Sequence, residues 1–276
     1  MIAWTKKLFI IVFSTLFLLI STPLPIHADI GPKPSVHVTI EGVGNQVYYA
    51  TLLSKYESTG PESAYQGNNA RYTMEDEEYP IWKAFVDYQD SDGFYFLQTF
   101  WECTDRHTFK WGYYPPETFK ILLYFPQTNE FVVSDIHQRY AFESYFTMNV
   151  NNEVYQSYNY TKETMNLVIR IILTILLEIG IAFLFKIKQK DQLVFIAIVN
   201  TITQIGLNIA LNVINFYKGQ WAFTFYYALL EIAIIIIEAI FYRKKLQNKA
   251  VPYSFIANVL SFAFGLWLAH LIPGIF

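Results

Sequence analysis

Leu193-Val-Phe-Ile-Ala-Ile-Val-Asn-Thr-Ile-Thr-Gln-Ile-Gly-Leu-Asn-Ile-Ala-Leu-Asn-Val-Ile-Asn-Phe216 is the stretch on which the fold turns. It has no charged residue and exceeds the roughly 20 residues that a helix needs to cross a bilayer. It is not uniformly apolar, because Asn200, Thr203, Gln204, Asn208, Asn212 and Asn215 interrupt it. Asn200, Gln204, Asn208 and Asn212 recur at every fourth position, which draws one slowly turning stripe along a helix. A stripe of amides predicts a span packed against other helices, since acyl chains offer amides no partner.

Three similar stretches surround it, at about Leu167–Phe185, Trp221–Tyr242 and Val251–Ile272. Each is near membrane-spanning length, and short loops join them, so the reading is a four-helix transmembrane bundle over residues 165–276. The first loop carries Lys186, Lys188 and Lys190 and the third Arg243, Lys244, Lys245 and Lys249, whereas the middle loop holds only Lys218. Positive loops stay in the cytoplasm. The first span therefore enters from outside, and the C-terminus ends outside.

The other spans also contain polar side chains: Glu178 in the first, Glu231 and Glu238 in the third, Asn258 and Ser261 in the fourth. Ionisable residues in a membrane cost roughly 2.5–3.5 kcal/mol on insertion scales and face a bundle interior or an aqueous cavity. At 1.5 Å per residue from the cytoplasmic ends, Glu178, Asn200, Glu238 and Asn258 lie roughly 6–12 Å deep, and Gln204, Glu231 and Ser261 roughly 15–18 Å. The candidate site is therefore an intramembrane polar cluster of Glu178, Asn200, Thr203, Gln204, Asn208, Glu231, Glu238, Asn258 and Ser261. It reads either as interhelical glue or as a site that carries protons or cations, or activates water. Arg170 is expected to snorkel outward, and His270 is assigned no role.

The first 28 residues read as a signal peptide, with an uncleaved anchor as the alternative: Lys6 and Lys7, an apolar core from Leu8 to Ile20, then Ile26-His27-Ala28 as the cleavage site. Residues 29–164 are polar and rich in tyrosine, with 9 Lys and Arg against 19 Asp and Glu, a net −10. Strands are expected at 35–41, 46–53, 94–101, 119–125 and 131–134, the last two as a hairpin around Pro126–Glu130. The fold class is then α+β: an extracytoplasmic antiparallel β-sandwich, with a barrel as the alternative, followed by the bundle.

Asp87, Asp90 and Asp92 before Gly93 could chelate calcium, but the twelfth position is Gln98, so an acidic turn fits better. Glu75-Asp-Glu-Glu78 reads as a solvated loop. Trp111-Gly-Tyr-Tyr-Pro-Pro116 reads as aromatic core under a Pro turn, or as an exposed platform. Cys103, alone in an exported domain, must be buried or inert. His107 and His137 lack any metal-ligand spacing, so no metal and no cofactor is expected. There is no nucleophile elbow, phosphate loop or zinc-protease helix, and an acidic domain argues against nucleic acid.

Asp29-Ile-Gly-Pro-Lys-Pro-Ser35, Thr51-Leu-Leu-Ser-Lys55 with Ser58-Thr-Gly-Pro61, Trp111-Gly-Tyr-Tyr-Pro-Pro116 and Phe119-Lys-Ile-Leu-Leu-Tyr-Phe-Pro126 resemble an uncharacterised family of bacterial membrane proteins. That family pairs an exported domain with a bundle carrying Glu, Asn-x-x-Thr and Asn-x-x-Ser positions. The resemblance implies a plasma membrane protein of a Gram-positive-type cell and supplies no activity. The residues themselves lead to a multipass plasma membrane protein that binds or senses something outside, working through a membrane partner or a homo-oligomer. The alternatives are a small ion- or proton-coupled permease and an intramembrane hydrolase using the glutamates.

Overall fold

The computed structural model describes residues 32–271. The expected signal peptide, residues 1–28, lies outside the described residues. The chain divides into two compact units. One comprises Pro32–Tyr160 with Ile214–Gln220, the other Thr161–Val213 with Trp221 onward.

The first unit is built from strands. β1 (Ser35–Glu41), β7 (Thr108–Trp111), β11 (Glu143–Asn149) and β12 (Val154–Gln156) form a four-stranded sheet in the order β12-β11-β1-β7. A second sheet runs β10-β8-β2-β5, from β10 (His137–Gln138), β8 (Thr118–Phe125), β2 (Tyr49–Ser54) and β5 (Tyr95–Phe96). β6 (Trp101–Glu102) also pairs with β2, and β9 (Glu130–Val133) with β8. β3 (Ser58–Thr59) and β4 (Glu62–Ser63) make a small hairpin.

Period-two alternation explains the layering. Val36, Val38 and Ile40 of β1 share one buried core with Phe119, Ile121 and Leu123 of β8, so the two sheets face each other. The other face of β8 is covered as well. Leu122 and Tyr124 pack with Trp82 and Phe85 of α1 (Tyr79–Asp87) in a second, strongly aromatic core. Each of these large side chains stabilises the fold by roughly 1.5–3 kcal/mol on burial, and burial on both faces accounts for the continuous apolar run in β8.

Three features depart from the expected antiparallel sandwich. First, β1 pairs in parallel with β11, from Ser35↔Glu143 to Glu41↔Asn149. A hundred residues separate these strands, so no hairpin turn imposes antiparallel pairing. Second, the strand expected over 94–101 is broken into β5 and β6. Gln98 between them has φ 59, and its buried amide donates to Ser63 O and Asn69 O and accepts from Arg71 N, all at 3.1 Å. Third, α1 follows the exposed Glu75–Glu78 run, with Pro80 in its first turn, where a missing N–H leaves no bond unmade. The β8–β9 hairpin forms as read, closed by Phe125↔Glu130.

The second unit is helical: α2 (Tyr160–Leu184), α3 (Lys190–Leu246), a 3-10 turn at Gln247–Lys249, and α4 (Ala250–Leu271). Two helical runs, Tyr160–Leu184 and Lys190–Gly265, are long and apolar enough to cross a membrane. The second run is not straight. Gly219 has φ 80 and ψ 176, a conformation essentially reserved for glycine, and α3 folds back on itself there. Lys245 Nζ meets Asp191 Oδ2 at 3.2 Å, Gln192 Nε2 donates to Lys245 O at 3.1 Å, and Leu207 and Leu211 share a core with Phe223 and Ile234. Ile181, Ile196, Tyr242 and Tyr253 belong to one buried cluster to which α2, both halves of α3, and α4 contribute. Ile172, Leu176, Ile202, Ile209 and Phe255 remain more than half exposed, as side chains facing lipid or a partner helix would be.

Candidate functional site

The helical unit buries most of the polar residues singled out in the sequence. Glu178, Asn200 and Glu238 are fully buried, Asn258 nearly so, and Thr203, Gln204, Asn208 and Glu231 are buried with them; Ser261 is half-buried. They do not converge on one point. The structure separates them into two levels.

At the first level, Glu238 is fully partnered. Asn258 Nδ2 donates to its Oε2 at 2.7 Å, and Thr203 Oγ1 lies 2.6 Å from its Oε1. Thr203 Oγ1 also lies 3.0 Å from Asn200 O. A hydroxyl carries a single proton. Both Thr203 contacts are made at once when Glu238 is the neutral acid, donating to Thr203 while Thr203 donates to Asn200 O. The second amide proton of Asn258 goes to Ser254 O at 2.9 Å, and Ser254 Oγ donates to Ile235 O at 2.8 Å.

Glu178 is the opposite case. Asn200 and Tyr242 stand against its carboxyl, and Tyr242 also against that of Glu238. Even so, both Glu178 carboxyl oxygens, both Asn200 amide atoms, the Tyr242 hydroxyl and Asn258 Oδ1 are buried with no hydrogen-bond partner. Tyr253 closes the level from α4, its hydroxyl donating to the backbone carbonyl of Glu178 at 3.0 Å. A buried polar atom left without a partner costs about 1–3 kcal/mol. Three of these atoms, both of the Asn200 amide and the Tyr242 hydroxyl, stand with the two Glu178 oxygens in one cluster whose hydrogen-bonding capacity is not used up.

The second level surrounds a cavity of about 30 Å³, lined by Arg170, Gln204, Asn208, Tyr227, Glu231 and Ser261 among others. Asn208 Nδ2 donates to Gln204 O at 2.8 Å, and Tyr227 stands beside Glu231. Arg170 does not reach outward as expected. It is 8% exposed, next to Glu163 and Tyr227, because its helix face turns toward α3.

The chain matches no family model, no curated protein and no solved structure. The residues alone therefore carry the functional reading. Tyr242, Tyr253 and Ser254 were not marked in the sequence. Tyr242 follows Glu238 by four positions, and that spacing on a helix is the signal that could have found it.

The β unit offers two further points. The acidic turn holds an internal cation: Lys120 Nζ lies 2.8 and 3.0 Å from the two Asp90 carboxyl oxygens and 2.5 Å from Asp92 Oδ2. The lysine thus sits where a calcium ion would be sought. Among the described residues no group of three or more His, Cys, Asp or Glu side chains is placed to hold a metal. A cleft of about 630 Å³ opens beside β7, lined in part by His37, Trp101, Arg106, Lys110 and Tyr145. The His37 ring stacks on Tyr145 at 4.6 Å, and its Nε2 lies 3.0 Å from Ser35 Oγ. Burial, then the charge of Lys110, pushes the His37 pKa below the ordinary value, against the pull of Glu143. Trp111 of the aromatic motif is core, its Nε1 donating to Tyr113 O at 3.0 Å, while Tyr113 and Tyr114 stay 38% exposed.

Proposed function

We propose that the chain is a multipass plasma membrane protein whose four helical segments hold a carboxyl site that binds and releases a proton or a small cation. Residues 29–164 and the C-terminus stand outside the cytoplasm in this reading. The lysine-rich first and third loops, the two apolar helical runs and the break at Gly219 support that arrangement. One observation carries the function: the fully buried Glu178 carboxyl has only Asn200 and Tyr242 against it, and neither makes a well-formed hydrogen bond to it. A carboxylate in so apolar a setting requires a proton or a counter-charge, so occupancy of this site can be coupled to movement of the bundle. Four segments enclose little space, and the exposed apolar faces provide for a homo-oligomer or a membrane partner.

The test uses the full chain reconstituted into liposomes with a pH-sensitive dye inside. An imposed proton or cation gradient should produce flux, and Glu178→Gln should abolish it. Equal flux from both proteins would remove the reading.

A second reading, external binding or sensing by the β unit, is favoured by the cleft beside β7. Its volume falls within the roughly 300–1,000 Å³ typical of small-molecule sites, and its stacked rings and mixed charges suit a polar ligand. The cytoplasmic loops are short, so a signal would pass through a partner in the membrane. Crosslinking in native membranes should then trap that partner, and a strictly solitary monomer would count against it.

A further inference from the structure

β7 ends the strand order β12-β11-β1-β7, so only one of its sides is paired. β1 meets it antiparallel, with His37 opposite Lys110 and Thr39 opposite Thr108. At the next position Ile40 N donates to His107 O at 2.7 Å. Opposite residues in an antiparallel ladder alternate between bonded and non-bonded pairs. The bond at Ile40 and His107 therefore makes Thr39–Thr108 and His37–Lys110 non-bonded pairs, and the N–H and C=O groups of Thr108 and Lys110 point away from β1, to the open side. Among the described residues no backbone group bonds them there. The Lys110 side chain does not cover the edge. Its Nζ lies 3.9 Å from Glu143 Oε1, on β11 beyond β1, so it leans back across the face of the sheet.

We infer that the open edge of β7 takes an extended peptide segment of another protein as an added strand, with alternate side chains apolar and polar. The inference rests on the second reading, that the β unit binds something outside, and it names the class of partner. Thr108 and Lys110 offer two donors and two acceptors, the residues about 6.8 Å apart along the strand. Extended backbone presents matching groups at the same repeat, and main-chain bonds of this kind give strand-addition complexes their affinity. The cleft of about 630 Å³ provides the room, with Thr108, Phe109 and Lys110 in its lining. Toward the core, the half-buried Trp101 stacks on Phe109 with ring centroids 5.1 Å apart. It offers an apolar floor to every second side chain of the added strand. The side chains between them lie on the other face, beside the exposed Thr108 and Lys110. Arg106 and Lys110 line the cleft together with Glu102 and Asp105. Their charges balance, so the polar positions of the partner need carry no net charge.

The experiment measures binding of a fluorescein-labelled heptapeptide of alternating valine and threonine to the full chain in detergent, by fluorescence anisotropy. The probe should bind. The same peptide with every backbone nitrogen methylated keeps its side chains but loses its donors, and should bind at least about tenfold more weakly. Lys110→Pro removes one outward N–H and none that bonds β1, a position where a sheet tolerates proline. It should weaken the probe by about tenfold and leave the unfolding temperature unchanged. Lys110→Ala keeps the N–H and should bind as the natural chain does. No binding of the probe, equal binding of the two peptides, or equal losses in Lys110→Pro and Lys110→Ala would overturn the inference. If Lys110→Pro does not fold, the two peptides on the natural chain decide the matter. Crosslinking in native membranes separates this inference from the reading beneath it. A partner still trapped by Lys110→Pro would remove the β7 edge and leave external binding standing, and no partner trapped and no peptide bound would remove both.

Discussion

Lys120 Nζ and the Asp90 carboxyl form a buried ion pair, 2.8 Å at the closer oxygen, with the side chains 4% and 0% exposed. Asp90 Oδ2 also accepts from the backbone N–H groups of Asp92 at 3.0 Å and Phe94 at 3.2 Å. The pair thus fixes the turn that leads from α1 into β5. Removing one partner of a buried pair leaves an uncompensated charge. Lys120→Met should therefore destabilise the β unit by about 3–5 kcal/mol. The double variant Lys120→Met, Asp90→Asn should recover much of that loss. Thermal unfolding of the full chain in detergent, followed by tryptophan fluorescence, reads both.

The same pair sets a pH dependence. Burial pushes the Asp90 carboxyl up, but the bonds from Lys120, Phe94 and Asp92 outweigh it and hold the carboxyl below its ordinary value of 3.8. A lowered acid contributes stability above its unfolded pKa and loses it as pH falls through the folded one. The contribution should be intact at neutral pH, begin to fall near pH 3.8 and be gone only below the lower folded value. Lys120 is likewise opposed by burial, yet its bonds to Asp90 and Asp92 raise it above 10.5. Its share is present below pH 10.5 and is lost as pH climbs through the higher folded value. Stability measured against pH should bend at both ends in the natural chain. In the double variant both bends should be weaker.

How much of this could be read beforehand depended on the range of the interaction. β1, the β8–β9 hairpin and the amide stripe of α3 follow from local periodicity, and they stand at or near their expected places. β11 carries Phe146 and Met148 at alternate positions, yet its pairing with β1 spans about a hundred residues, and no local pattern announces that. The acidic turn showed three carboxylates, but the lysine between them comes from β8, some 30 residues on. The separation of the buried polar residues of the helical unit into two levels depended on the positions of the helices relative to one another. The arithmetic of depth alone could not say that Glu238 would be bonded and Glu178 left bare.

Cys103 is fully buried, its Sγ in weak contact with Trp101 O at 3.5 Å. Burial first, and then the charge of Glu102, pushes the thiol up to about 12. Thiolate is the reactive form, so the native chain should resist maleimide and iodoacetamide near neutral pH. Labelling should appear with the unfolding transition of the β unit. Rapid labelling of the folded chain would show the thiol to be accessible after all.

Gly219 carries the fold-back of α3 on a backbone conformation of φ 80 and ψ 176. A side chain there is strained by about 1–3 kcal/mol. A Cβ there would also run into the Phe142 ring, so Gly219→Ala should lower the unfolding temperature of the chain. Gly206→Ala is the control, since a Cβ at Gly206 meets nothing within 4 Å and alanine favours the helix by about 1 kcal/mol. Opposite shifts for the two substitutions are the expected result, and equal shifts would contradict both the backbone strain and the close approach of Phe142 at Gly219.

Glu238 provides the sharpest test of how the polar levels are built. If it is the neutral acid, glutamine reproduces its pattern, accepting from Asn258 Nδ2 and donating to Thr203 Oγ1, which passes its own proton to Asn200 O. Glu238→Gln should then change stability by less than about 0.6 kcal/mol, the average worth of one such bond between membrane helices. Glu238→Leu leaves the Asn258 amide without its acceptor and takes from Thr203 its contact with the carboxyl, and should cost about 1–3 kcal/mol. Thr203→Val should fall between the two, since it removes one link and leaves Asn258 bonded. Unfolding midpoints of these variants in one detergent give the ranking. A large loss in Glu238→Gln, equal to that in Glu238→Leu, would mean that the bundle holds a charged carboxylate there, and that its counter-charge is still to be found.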